Sequence, residues 1–122
     1  MAIDELLTRT KRLGLMVIRL SQTLPKTPEA RVIQYQILKS ATSVGANYRA
    51  AKRARSLADF ISKMGIVEEE TDETMYWLEM IVEAGMLEKG KVSLLYAEAG
   101  EILAMTVASI KTAKTSRRPQ RT

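Results

Sequence analysis

The chain has 122 residues, room for one domain with at most a short tail. Apolar residues make up 46% and aromatics only 5%, so a core is expected and must be built from Leu, Ile, Val, Met and Ala. A net charge of +5 permits an acidic partner without demanding one, whereas the absence of cysteine and histidine removes disulfides, thiolate chemistry, Ser-His-Asp triads, zinc sites and Glu-x-x-His di-iron sites.

The first segment, over 2–23, predicts a helix. Ile3, Leu6, Leu7, Thr10, Leu13, Gly14, Val17, Leu20 and Leu24 recur at helical spacing on one face. Asp4 and Glu5 stand where a signal peptide carries positive charge. The longest unbroken apolar run, Leu13–Ile18, is far short of the ~18 residues of a membrane span. A cytoplasmic chain without a membrane segment is expected. Two prolines, Pro25 and Pro28, break the helix, and Thr27-Pro28-Glu29 reads as an N-cap with proline at the first helical position.

A second helix is expected over 28–54, with Ala30, Ile33, Ile37, Ala41, Val44, Tyr48 and Ala51 facing the core. Away from that stripe, Arg31, Lys39, Arg49 and Arg53 share an arc of about 80°, with Tyr35 among them and Lys52 and Arg55 flanking its end. Small residues (Ser40, Ala41, Ser43, Gly45, Ala46, Ala50, Ala51) would let neighbouring backbones approach closely, and Asn47 is expected to hydrogen-bond across a helix pair.

The third helix is expected over 57–87, opened by Ser56 with Asp59 three residues on, a variant of the capping box. Its core stripe reads Leu57, Phe60, Ile61, Met64, Val67, Thr71, Met75, Leu78, Val82 and Gly85. Ile66, Trp77, Met80 and Ala84 fall on the opposite side, near 180°, 200°, 140° and 180° from Leu57 at about 100° per residue. A second apolar face of this kind points to self-association, with Trp77 as anchor. The acids Glu68, Asp72, Glu79 and Glu83 lie beside the core stripe and are expected to pair with bases of a neighbouring helix rather than hold a metal. No metal, cofactor or catalytic residue is expected.

Gly85-Met-Leu-Glu-Lys-Gly90-Lys91-Val92 has the spacing of a phosphate loop, but Val92 lacks the required hydroxyl and no strand precedes it. It reads as a left-handed helix cap and a turn. A fourth helix follows over 92–114, with Val92, Leu95, Tyr96, Ala99, Ile102, Leu103, Thr106 and Ile110 inward. Residues 115–122 read as a flexible basic tail carrying Arg117, Arg118 and Arg121. Nothing alternates with period two, and the short connections make neighbouring helices antiparallel. The fold class is therefore all-α, an up-down-up-down four-helix bundle over 1–114.

The stretch from Gln36-Ile-Leu-Lys-Ser-Ala-Thr-Ser43 through Val-Gly-Ala-Asn47 resembles the Gln-x-x-(Arg/Lys)-(Ser/Ala)-Ala-x-Ser-(Ile/Val)-x-x-Asn segment of a bacterial four-helix-bundle family. That family was first named after proteins encoded in 23S rRNA intervening sequences. Ser56-x-x-Asp59-Phe60-Ile61-x-Lys63 and the run from Gly65 to Tyr76-Trp77-Leu78-Glu79 are similar to its second block, and the likeness covers about residues 3–112. After Asn47 the family commonly carries Ile-Ala-Glu-Gly, where this chain has Tyr48-Arg49-Ala50-Ala51, losing an acid and gaining a base. The resemblance implies a ring-like homopentamer without enzymatic activity. A related branch, the accessory protein of diversity-generating retroelements, is a basic pentamer that works with a reverse transcriptase and binds nucleic acid.

The expectation is thus a non-enzymatic homo-oligomer without a small-molecule substrate. It would bind RNA or DNA backbone through Arg31, Lys39, Arg49, Lys52, Arg53, Arg55, Arg117, Arg118 and Arg121, with Ile66, Trp77, Met80 and Ala84 between subunits. The alternative is an interaction adaptor, for example for a reverse transcriptase, that does not touch nucleic acid. Charge is divided sharply along the chain. Residues 1–55 hold 11 bases and 3 acids, and residues 56–110 hold 3 bases and 11 acids. Much of it is therefore expected to go into pairing between helices and between subunits.

Overall fold

Asp4 opens the first helix by accepting the Leu7 N–H at 3.1 Å, satisfying one of the orphan donors at a helix start. The computed structural model describes residues 4–116, in four helices: α1 (Glu5–Ser21), α2 (Pro28–Lys52), α3 (Leu57–Glu83) and α4 (Lys89–Ser116). Arg117, Arg118 and Arg121 lie outside the described residues.

The capping expectations at α2 and α3 hold in detail. Thr27 Oγ1 accepts the Ala30 N–H at 3.2 Å with Pro28 at the first helical position. Ser56 Oγ accepts the Asp59 N–H at 3.0 Å, while the Asp59 carboxylate reaches back to the Arg55 N–H at 3.2 Å, one residue earlier than in the usual box. At the far end, Gly85 adopts φ +74°, with its N–H on the Val82 carbonyl and the Met86 N–H on the Ile81 carbonyl. This pair is a Schellman motif, and it stops α3 at Glu83 rather than at the expected residue 87. Gly90 and Lys91 then fall inside the first turn of α4, so the phosphate-loop spacing belongs to a cap and a helix start. α4 also continues through Thr115 and Ser116, two residues into the stretch expected to be tail.

Each helix contacts its sequence neighbour, and α4 returns to α1, with α2–α3 the most extensive seam and α1–α4 the sparsest. This is the antiparallel up-down-up-down arrangement. Leu13, Val17, Ile37, Val44, Met64, Leu78, Ile81 and Ile102 fill its centre, fully buried. The buried stripe of α3 is rotated from the expected one. Thr74 and Ile81 are buried, whereas Leu57 and Gly85 are exposed. Thr74 can be buried because its hydroxyl donates to the Glu70 carbonyl at 2.8 Å and lies 3.0 Å from Ser40 Oγ on α2. Ser40–Thr74 is the polar link across α2 and α3. Asn47, expected to make one, instead donates to Ser43 of its own helix, to the carbonyl and the hydroxyl at 2.9 Å each.

The small residues of α2 do allow close approach. A Cβ on Gly45 would lie 3.3 Å from the Thr10 carbonyl of α1, and one on Gly14 would lie 3.6 Å from the Ala41 carbonyl. α4 is long and apolar enough, by length and composition, to cross a membrane, which unbroken apolar runs alone did not reveal. Its stripe Val92, Leu95, Ala99, Ile102, Thr106, Ile110 and Ala113 is buried against the other helices, the arrangement a bundle core requires.

Candidate nucleic-acid surface and self-association face

The outer face of α2 is built by the same periodicity that buries its inner one. Arg31, Lys39, Arg49 and Arg53 are all exposed, with Tyr35 exposed to 64% between the first two. From Arg31 to Arg53 the row runs about 33 Å at 1.5 Å per residue. Among the described residues, ion pairs engage Arg9, Lys52 and Lys63, and none involves these four bases. Lys52 is partly committed, 3.4 Å from Asp4 Oδ2. Burial pushes Asp4 up, but the Leu7 N–H, the Tyr48 hydroxyl and Lys52 outweigh it and hold the carboxyl below its ordinary value. Tyr48 donates to both Asp4 oxygens, at 2.9 and 3.0 Å, and burial together with that carboxylate raises the phenol well above its usual pKa.

The row ends in an open cavity of about 390 Å³ at the α2–α3 connection. Arg49 and Arg53 reach it from α2, Arg55 from the turn, and Asp59 and Lys63 from α3, over a floor of Ala46 and Ala50. Lys63 holds both Asp59 oxygens at 2.7 Å, and this contact, then the Arg55 N–H, keeps the carboxyl below its ordinary range. Antiparallel topology brings the C-terminus of α4, with Lys111 and Lys114, to this same end of the bundle.

On α3, Ile66 (39%) and Ala84 are exposed, whereas Trp77 and Met80 are half-buried against the core. The rotated stripe draws Trp77 toward the bundle rather than leaving it fully outward. Two polar atoms on this side are buried without a hydrogen-bond partner among the described residues: Trp77 Nε1 and Glu70 Oε2. They lie seven residues apart, two turns along one face. Burial, then the like charge of Glu73, raises the Glu70 carboxyl, and Lys39 across the seam opposes this. A second apolar face went unread in the sequence. Leu94 of α4 is 82% exposed, and Ala97, Ala104 and Ala108 are exposed on the same side. The signal was a run of Leu94, Ala97, Ala104 and Ala108 opposite the α4 core stripe, masked by overall apolarity.

The expected charge pairing between the basic and acidic halves is narrow. Arg9 of α1 makes it alone among the described residues, donating to Glu98 at 2.8 and 2.7 Å and to Glu101 at 2.8 Å on α4. These hydrogen bonds raise the guanidinium further and, against burial, lower Glu98. Glu68, Asp72, Glu79 and Glu83 make no ion pair within 4.0 Å among the described residues, contrary to expectation. Glu79 instead accepts the Tyr96 hydroxyl at 2.7 Å. No cluster of acids in the described part could hold a metal ion.

These helices, caps and seams define an all-α four-helix bundle. The chain belongs to the 23S rRNA-intervening sequence protein family, whose model matches residues 5–108. It is similar to a crystal structure of a protein of unknown function from the S23 ribosomal protein family of Bacteroides thetaiotaomicron. The two are 31% identical with a TM-score of 0.82, over 87% of this chain and 98% of that one. No curated protein matches the sequence.

Proposed function

We propose that the protein is a non-enzymatic homo-oligomer that binds RNA or DNA through backbone phosphates. The carrying observation is the outer face of α2. Its four exposed bases have no carboxylate within 4.0 Å among the described residues, and Tyr35 among them offers a base a stacking surface. Lys52 and Arg55 flank the row, and Arg117, Arg118 and Arg121 follow in sequence from the same end of the bundle. Readout would be of backbone, since phosphate contacts position a protein without carrying sequence information.

Self-association is supported by the α3 side. A neighbouring copy would cover Ile66, which is 39% exposed, and Ala84, together with the parts of Trp77 and Met80 that the bundle leaves open. A ring, five-membered as the family resemblance implies, would repeat the α2 row around an axis and widen its positive field. Light scattering tests this half: a monodisperse species near 13.7 kDa removes it. Titrating labelled RNA against salt tests the other half. Four phosphate contacts to a single strand predict a log–log slope near −3 (about −0.7 each), and affinity that is flat with salt refutes phosphate binding.

The adaptor reading draws on Leu94, exposed enough to seat a protein partner such as a polymerase. Charge reversal at Arg49 and Arg53 separates the two. Loss of RNA binding with an intact assembly supports the first, and unchanged RNA binding counts against it.

A further inference from the structure

An open, shallow cavity lies between the end of α2 and the start of α3, at one end of the basic row. Its lining carries four cations, Arg49, Arg53, Arg55 and Lys63, against one acid, Asp59. That acid is already engaged, with both oxygens on Lys63 and one also on the Arg55 N–H. The three guanidinium groups have no carboxylate within 4.0 Å among the described residues. Guanidinium forks favour oxygens of a planar or tetrahedral oxyanion in a directed way that ammonium groups do not. The floor between Arg49 and Arg53 is Ala46 and Ala50, so a ligand can approach α2 with nothing bulky in its way.

An internal phosphodiester carries one negative charge and needs only a convex strip of cations. A terminal phosphomonoester carries between 1.5 and 2 at neutral pH, roughly, and three acceptor oxygens. Three guanidinium forks lining one cavity match the greater charge and the extra acceptor oxygen of the monoester. Its volume, about 390 Å³, accommodates a phosphate with its sugar. Its place at the end of the α2 row is where a strand tracking Arg31, Lys39 and Arg49 would finish.

We propose that this cavity seats the terminal phosphomonoester of a nucleic-acid strand, gripped by Arg49, Arg53 and Arg55. The assignment rests on the nucleic-acid reading above, and its test separates the two. The full chain is titrated with a labelled single-stranded oligomer bearing a 5′-phosphate, a 3′-phosphate, or neither, at fixed salt. At least one phosphorylated end binds about tenfold tighter than the unphosphorylated strand. Arg53→Gln and Ala46→Leu abolish that difference. Ala46 is exposed, so leucine there plugs the floor without changing charge or reaching the core, and a thermal melt verifies the fold. Equal affinity for all three strands, with binding still salt-dependent, overturns the cavity assignment and leaves the backbone reading standing. No binding to any strand removes both. Adenosine monophosphate is the competing arm. If it binds as tightly as the phosphorylated oligomer, the site is a mononucleotide site and the strand-end assignment falls.

Discussion

Two mid-helix glycines form a controlled pair for testing how closely α1 and α2 approach. Replacing glycine by alanine inside a helix gains up to about 1 kcal/mol from backbone entropy wherever the new methyl fits. Gly65 of α3 has nothing within 4 Å of an added Cβ, so Gly65→Ala should realise that gain. For a domain of this size it amounts to roughly 3–5 °C in Tm. Gly45 of α2 differs only in its surroundings. An added Cβ would lie 3.3 Å from both the carbonyl carbon and oxygen of Thr10 and 3.4 Å from the Lys11 nitrogen. All three are backbone atoms of α1, held by that helix's own hydrogen bonds, so relief requires the whole helix to move by a few tenths of an ångström. Overpacking of this kind costs about 1–3 kcal/mol, which cancels the entropic gain and leaves a net loss of up to about 2 kcal/mol. Thermal melts at one fixed protein concentration decide it, the concentration mattering because assembly would shift Tm. A Gly45→Ala protein melting as high as Gly65→Ala would refute the close approach of α1 to α2.

Arg9→Ala should cost about 2 kcal/mol, since it removes charge-assisted bonds from a pair that is only 21% exposed at Arg9 and Glu98. Glu98 is held below its ordinary pKa, so this stabilisation is full above about 4.3 and is lost as pH falls through the folded value. The gap between wild type and variant in urea melts should therefore shrink toward pH 3. Glu70 has the opposite sign: its raised carboxyl is deprotonated at a cost, and stability falls as pH rises past the unfolded value. Glu70→Gln should raise Tm at pH 7 and give no gain near pH 4, where the native carboxyl is protonated. Gly85→Ala puts a side chain at φ +74° and should destabilise by about 1–2 kcal/mol, read from denaturant midpoints.

The helices and most of their ends were legible because their signals are local. Thr27-Pro28, Ser56 with Asp59, and Gly85 each act through neighbours within a few residues. The misreadings share a different cause. Thr74 lies about 260° from Leu57, at the edge of the expected α3 stripe, and a hydroxyl partner on α2, 34 residues away, makes its burial inexpensive. That rotation in turn half-buries Trp77, which a helical wheel alone placed outside. Asn47 and the acids of α3 were assigned partners by type, whereas actual pairing depends on which side chains a seam brings within 4 Å. The basic arc of α2 was readable from spacing, but its closure into a cavity was not. That needs the turn at Arg55 and the first two turns of α3 folded back beside Ala46 and Ala50.

The seam between α1 and α4 has a kinetic consequence. α1 spans 17 residues against the 28 of α4, and the two meet sparsely, with Arg9 providing their ionic tie. Local opening free energies within a domain range from near zero up to the global value, following buried contact density. Amide protons of α1 and α4 should therefore exchange with solvent deuterium sooner than those of the α2–α3 pair. The α2–α3 pair, which shares the most extensive seam, would then be the last unit to open, after the two helices that flank it. Deuterium uptake would then divide the protein differently from charge. One boundary would fall between α1 and α2, two helices that share the same sign.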